Sequence, residues 1–100
     1  MAMTATSMQT ALEMLKIRLN RSASALDEYF TNLLHAEAGK LRDNGIHLHD
    51  DMQDIMLLVD MAAWRYNNRD KPGAMPEWLR LLRRERWLAD NGKEGENAVG

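Results

Sequence analysis

Residues 52–66 carry two apolar stripes on a single helical period. Met52, Ile55, Met56, Val59, Ala62, Ala63 and Tyr66 recur at the i, i+3, i+4, i+7 spacing of one helix face. Leu57, Met61 and Trp64 form a second stripe on the opposite side, with Asp54 one turn earlier. A helix with one stripe packs on one layer, whereas a helix apolar on two sides needs cover on both. Two arrangements supply that cover. The helix lies at the centre of its own bundle, or it shares one side with another subunit.

Three further segments have helical spacing. Met8, Ala11, Leu12, Leu15 and Leu19 predict a helix from about Ser7 to Leu19. Leu26, Tyr29, Phe30, Leu33, Leu34 and Leu41 predict a second from Ser24, a cap with Asp27 three residues on, to Asp43, stopped by Asn44-Gly45. Glu37 falls on this apolar stripe and reads as an edge position paired with a nearby arginine. The two-sided helix starts at an Asp50 or Asp51 cap and runs to about Asn68. After the break at Lys71-Pro72-Gly73, Pro76 suits the first turn of a fourth helix that ends near Asp90-Asn91-Gly92. No segment has strand spacing. The expected fold is all-α, a small compact four-helix bundle over residues 7–90, with flexible arms at 1–6 and 91–100.

At 100 residues the chain is one domain, able to bury only about two-thirds of its unfolded surface. The absence of cysteine excludes disulfides and thiolate chemistry. With no signal-peptide pattern and no long apolar run, neither secretion nor a membrane span is expected. The net charge of −2 hides a split. Between residues 25 and 63, Asp27, Glu28, Glu37, Asp43, Asp50, Asp51, Asp54 and Asp60 face only Lys40 and Arg42. Between residues 65 and 87, Arg65, Arg69, Lys71, Arg80, Arg83, Arg84 and Arg86 outnumber Asp70, Glu77 and Glu85. An acidic middle and a basic end attract each other within one chain or between copies.

Catalytic motifs are sparse. His47, His49 and Asp51 make an H-x-H-x-D string similar to the start of a metallohydrolase signature, but Met52 stands where the last histidine belongs and no second ligand cluster follows. A solvated loop leading into a helix cap is the favoured reading. There is no Gly-rich phosphate loop and no G-x-S-x-G. Neither enzymatic activity nor a cofactor is expected.

On the fourth helix, Arg80, Arg83, Arg84 and Trp87 share one face, opposite an apolar stripe of Trp78, Leu81, Leu82 and Ala89 that is expected to face the core. A solvated face explains the arginines but not the tryptophan. Tryptophan and arginine are enriched at protein-binding hot spots, so protein contact ranks ahead of phosphate binding. In the shared-subunit arrangement, Asp54, Leu57, Met61 and Trp64 of one copy meet Arg80, Arg83, Arg84 and Trp87 of the next, a heterologous contact that closes into a ring where the rotation permits. A small DNA-binding regulator using the last two helices is the alternative. However, the loop from Arg69 to Met75 is long for a helix-turn-helix, and Pro76-Glu77-Trp78 is a poor start for reading bases.

The chain resembles the head–tail connector (adaptor, head-completion) proteins of long-tailed bacteriophages and prophages. The resemblance lies in Leu15-Lys16-Ile17-Arg18-Leu19, in Asp27, Tyr29, Leu33, Leu34 and Ala36-Glu37, and above all in Asp60-x-Ala62-Ala63-Trp64-x-Tyr66-x-x-Arg69, followed by Met75-Pro76-x-x-Leu79-Arg80 and Arg86. It spans roughly residues 8 to 89. It implies a helical subunit of a homo-oligomeric ring in the virion, at the head–tail junction, made in the bacterial cytoplasm. Such a ring docks on the portal protein, extends the DNA channel with non-specific contact to the DNA, and receives the next tail-proximal connector or stopper protein. It carries over no catalytic residue. A chain terminus grips the portal in some relatives, a role open here to residues 91–100.

Overall fold

In the computed structural model, α1 (Ala5–Arg18), a 3-10 turn (Ser24–Leu26), α2 (Asp27–Asp43), α3 (Met52–Asn67) and α4 (Glu77–Val99) follow one another, with no strand among the described residues. The structure describes residues 3–71 and 73–99, with side chains to Gly92. The expected all-α four-helix class is the observed one. Pro72, within the expected break, lies outside the described residues.

α3 is the central helix and touches each of the other three. Ile55, Leu57, Leu58, Val59, Met61, Ala62, Ala63 and Tyr66 are all buried in one core with Ala11, Leu12 and Leu15 of α1, Phe30, Leu34 and Leu41 of α2, and Leu79 of α4. Both stripes of α3 are therefore covered within the chain over most of their length. Leu58, which lies between the stripes and belongs to neither, is fully buried. The exceptions are Met52 and Met56, which the spacing assigns to the core but which stand about half exposed. Phe30 and Tyr66 meet edge-to-face at 5.3 Å, a geometry that aromatic pairs prefer.

Two tight stops turn the chain. Asn20 takes φ 57 after α1, and the Arg21 N–H donates to the Lys16 carbonyl at 2.8 Å. After α2, Gly45 takes φ 95, its N–H bonds to the Arg42 carbonyl, and the Ile46 N–H bonds to the Leu41 carbonyl at 2.8 Å. This double closure satisfies the last carbonyls of α2 and buries Ile46 in the same core as Leu41.

Three boundaries depart from expectation. The expected arm is folded from Met3 onward: Met3 packs on the core, Thr4 caps α1 by accepting from the Ser7 N–H, and the Thr4 N–H donates to Asp50 at 2.8 Å. Met1 and Ala2 lie outside the described residues. Ser24 opens a 3-10 turn and makes no side-chain cap, while Asp27 pairs with Lys16 at 2.8 Å. At the other end, α4 does not stop at Asn91-Gly92 but continues to Val99, into the expected flexible tail; Gly100 lies outside the described residues. Gly92 does not take a left-handed φ, and the Asn91 amide bonds within the helix to the Trp87 carbonyl and across to the Gly45 carbonyl, both at 3.0 Å.

Gly45 is required twice over. Its φ disfavours any side chain, and a Cβ there would lie 3.1 Å from Trp87 Nε1 and 3.4 Å from the Asn91 amide. Gly45→Ala is expected to lower stability by about 1–2 kcal/mol, read as a reduced urea midpoint at constant slope. An unchanged midpoint would contradict this account of the turn.

Candidate functional site

α4 attaches to the bundle through polar groups. Its inward face is Leu79, Arg83, Arg86 and Asp90, and among the described residues Leu79 is the only apolar side chain of the helix that is fully buried. Arg86 Nε donates to Asp54 Oδ1 at 2.7 Å, and its Nη2 donates to Asp54 Oδ2 at 3.1 Å and to the His47 carbonyl at 2.7 Å. Nη1 lies 2.9 Å from Asp90 Oδ1, one turn on. Asp90 in turn accepts from the His47 N–H at 2.9 Å, and Asp54 accepts from the His49 N–H at 2.7 Å. The backbone groups of His47 and the His49 N–H, in a loop that runs beside no strand, thus find their partners on α3 and α4.

The H-x-H-x-D string has a structural part in this network. Ile46 and Leu48 point into the core, His47 and His49 are exposed, and Asp51 caps α3 by accepting from the Asp54 N–H at 2.9 Å. Among the described residues, no three His, Cys, Asp or Glu side chains gather as they would around a metal.

The expected core stripe of α4 is consequently turned outward. Trp78 is 52 % exposed, Leu81 46 % and Leu82 38 %, and Ala89 is exposed as well; Leu88, outside that stripe, is 42 % exposed. The energetics favour this orientation. Covering three half-exposed side chains would recover only about 1 kcal/mol each. Stripping Asp54 of its arginine would cost about 3–5 kcal/mol, with roughly 1 kcal/mol more for each backbone bond lost and about 2 kcal/mol for exposing Leu79.

The helix forms a ridge between two clefts. On one side Arg80, Leu81, Arg83, Arg84 and Trp87 face Asn44 and Ile46 across about 710 Å³. On the other, Leu82, Glu85, Arg86 and Ala89 face Gln53, Asp54, Met56, Leu57 and Asp60 of α3 across about 330 Å³. Met56 and Asp60 also line a shallow groove with Met14, Ile17 and Arg18 of α1, so the second cleft runs on toward α1.

The structure gathers Arg80, Arg83, Arg84 and Trp87 into the first cleft, but on a different side from that expected: Arg83 is partly buried toward the bundle, and Trp87 borders Gly45. Arg80 is paired with Glu77 at 2.9 Å. Asp54, Leu57 and Met61 are buried within the chain, so they offer no free side to a neighbour, and the arginine that meets Asp54 is the chain's own Arg86. Trp64 is partly buried, with the Arg65 guanidinium 4.9 Å from its ring. Glu37 is paired with Arg65 at 2.9 Å, as expected, but it is a buried position and not an edge. The charge split closes in part within one chain, through Arg65–Glu37 and Arg86–Asp54, while Arg18 of α1 pairs with Asp60. Sequence reasoning missed Arg86, Asp90 and Asn91 as the fastening of α4. The available signal was Arg86 seven residues after Leu79 and four before Asp90.

A scan against protein-family models and searches of curated proteins and of solved structures find no match to this chain. Among the described residues, no helix is long and apolar enough to cross a membrane.

The fastening has a pH signature. Burial raises the Asp90 carboxyl, but the His47 N–H and the Arg86 guanidinium outweigh it and hold the group below the ordinary carboxylate range. The Asp54 and Asp90 carboxylates hold Arg86 above the ordinary arginine range, against the opposing effect of burial. A lowered carboxyl contributes stability that is present above its unfolded value near 3.9 and is lost as pH falls through the folded value. Asp90→Asn is therefore expected to flatten the acid limb of the stability–pH curve below about pH 4, and an unchanged limb would contradict the contact. Separately, Arg86→Met is expected to cost about 3–5 kcal/mol. Adding Asp54→Asn should cost much less than the sum, with a coupling of at least about 1 kcal/mol in urea unfolding; strict additivity would refute the pairing.

Proposed function

We propose that this chain is a structural subunit of a connector ring at a phage head–tail junction. In this reading it docks on the portal protein, extends the DNA channel and offers a platform to the next tail-proximal connector or stopper, in the virion. The observation that carries the reading is the outward ridge of α4. Trp78, Leu81, Leu82 and Leu88 lie uncovered on the helix whose inner face is largely polar. Grouped apolar exposure of this kind marks interaction surfaces on soluble proteins. The ordered motifs from Leu15 to Arg86 direct it to connector rings. An assembly role also fits a site built of guanidinium and aromatic groups, the side chains most often found at the centre of protein contacts.

A DNA-reading role has weaker support. Arg86 is engaged by Asp54 and Asp90, Arg80 by Glu77, and the first turn of α4 presents Glu77 and Trp78.

Native mass spectrometry of the tag-free protein at high concentration, alone and with portal rings, tests the proposal. Multiple copies bound per portal ring are expected. A protein that stays monomeric and ignores the portal would contradict it.

A further inference from the structure

The two clefts beside α4 differ in charge and share no residue. The first carries Arg80, Arg83 and Arg84 around Trp87 and Leu81, with no carboxylate among the described residues of its lining. The second has an apolar floor including Met56 and Leu82 and a rim of Glu85, Gln53 and Asp60, of which Asp60 is already paired with Arg18 and Glu85 is the exposed carboxylate. Asp54, within it, is already neutralised by Arg86. Because the clefts lie on opposite sides of one helix, no copy can bring its own basic cleft onto its own acidic groove, whereas two copies can.

We propose that the partner for each cleft is a second copy of this chain: the arginine-lined side of α4 on one copy seats in the Met56–Leu82 groove of the next. Arg84 then reaches the neighbour's Glu85, and Leu81 covers the half-exposed Met56. The contact is heterologous, because the two surfaces are different, and repetition propagates it in one direction toward closure or a filament. Charge sets its register and disfavours the like-with-like arrangement, in which three guanidinium groups would face three others. This inference rests on the ring reading and names the faces that ring would use.

The chain contains no cysteine, so single thiols report the contact cleanly. Asn44→Cys marks the basic cleft and Gln53→Cys the acidic groove; both positions are exposed. The two full-length variants are mixed at high concentration, with and without portal rings, and treated with a short bismaleimide. Links between position 44 of one copy and 53 of another should exceed 44–44 and 53–53 links. Adding Arg84→Glu to the Asn44→Cys copy should lower the mixed link at least about tenfold, and Glu85→Lys in the Gln53→Cys copy should restore it. Dominant 44–44 and 53–53 links, or no link between copies in either condition, would overturn the pairing. Portal-bound multimers that lack the 44–53 link would refute the pairing while leaving the ring reading intact. A 44–53 link in a protein that ignores the portal would support the pairing and count against the ring.

Discussion

The contact between Arg86 and Asp54 fixes how the fourth helix meets the other three. Asp54 is almost fully buried on α3 and accepts from both Arg86 and the His49 N–H, while Arg86 reaches past it to the His47 carbonyl and to Asp90. A buried ion pair is a weak source of net stability, but it is a strong selector of arrangement, because any alternative that separates the partners strands a charge. Leu79 supplies a fully buried apolar anchor of α4 beside it. Rotating the helix to bury its apolar stripe would therefore break the network and expose Leu79 at once. The outward ridge of Trp78, Leu81, Leu82 and Leu88 follows from this constraint.

The same constraint divides the molecule energetically. α1, α2 and α3 share an apolar core in which Phe30, Leu34, Leu15 and Leu58 are sealed from solvent. Among the described residues, α4 is joined mainly by Leu79, by charge-assisted bonds to Asp54 and the 47–49 backbone, and by the Asn91 amide on Gly45. Elements with few buried apolar contacts occupy the low end of local stability. Ionic fastening also responds to acid in a way that the apolar core does not. Its clefts, one basic and one acidic, lie on either side of the element whose attachment depends on charge.

Periodicity made the fold class legible, because each helix repeats its apolar residues over several turns. The stops at Asn44-Gly45 and the Asp51 cap were legible from local chemistry. The face of α4 was not. The rule that hydrophobic residues are buried assigns its apolar stripe inward, and that rule fails where a buried carboxylate on another helix demands a partner. Asp54 lies thirty-two positions before Arg86 in the chain, so no local pattern joins them. The outer stripe of α3 misled in the other direction: Leu57 and Met61 read equally well as core or as interface, and the position of α2 and α4 around α3 decides for core. Glu37 showed the same limit, with its arginine foreseen and its burial missed. His47 and His49 drew attention as ligands, while their backbone groups do the holding.

Leu79 and Arg86 seat α4 with its apolar stripe turned to solvent. Carbene footprinting of the protein at high dilution, read residue by residue, tests this seating most directly. Strong labelling of Trp78, Leu81, Leu82 and Leu88 with protection of Leu79 and Leu58 is the predicted result. Protection of Trp78, Leu81 and Leu82 together with strong labelling of Leu79 would contradict it.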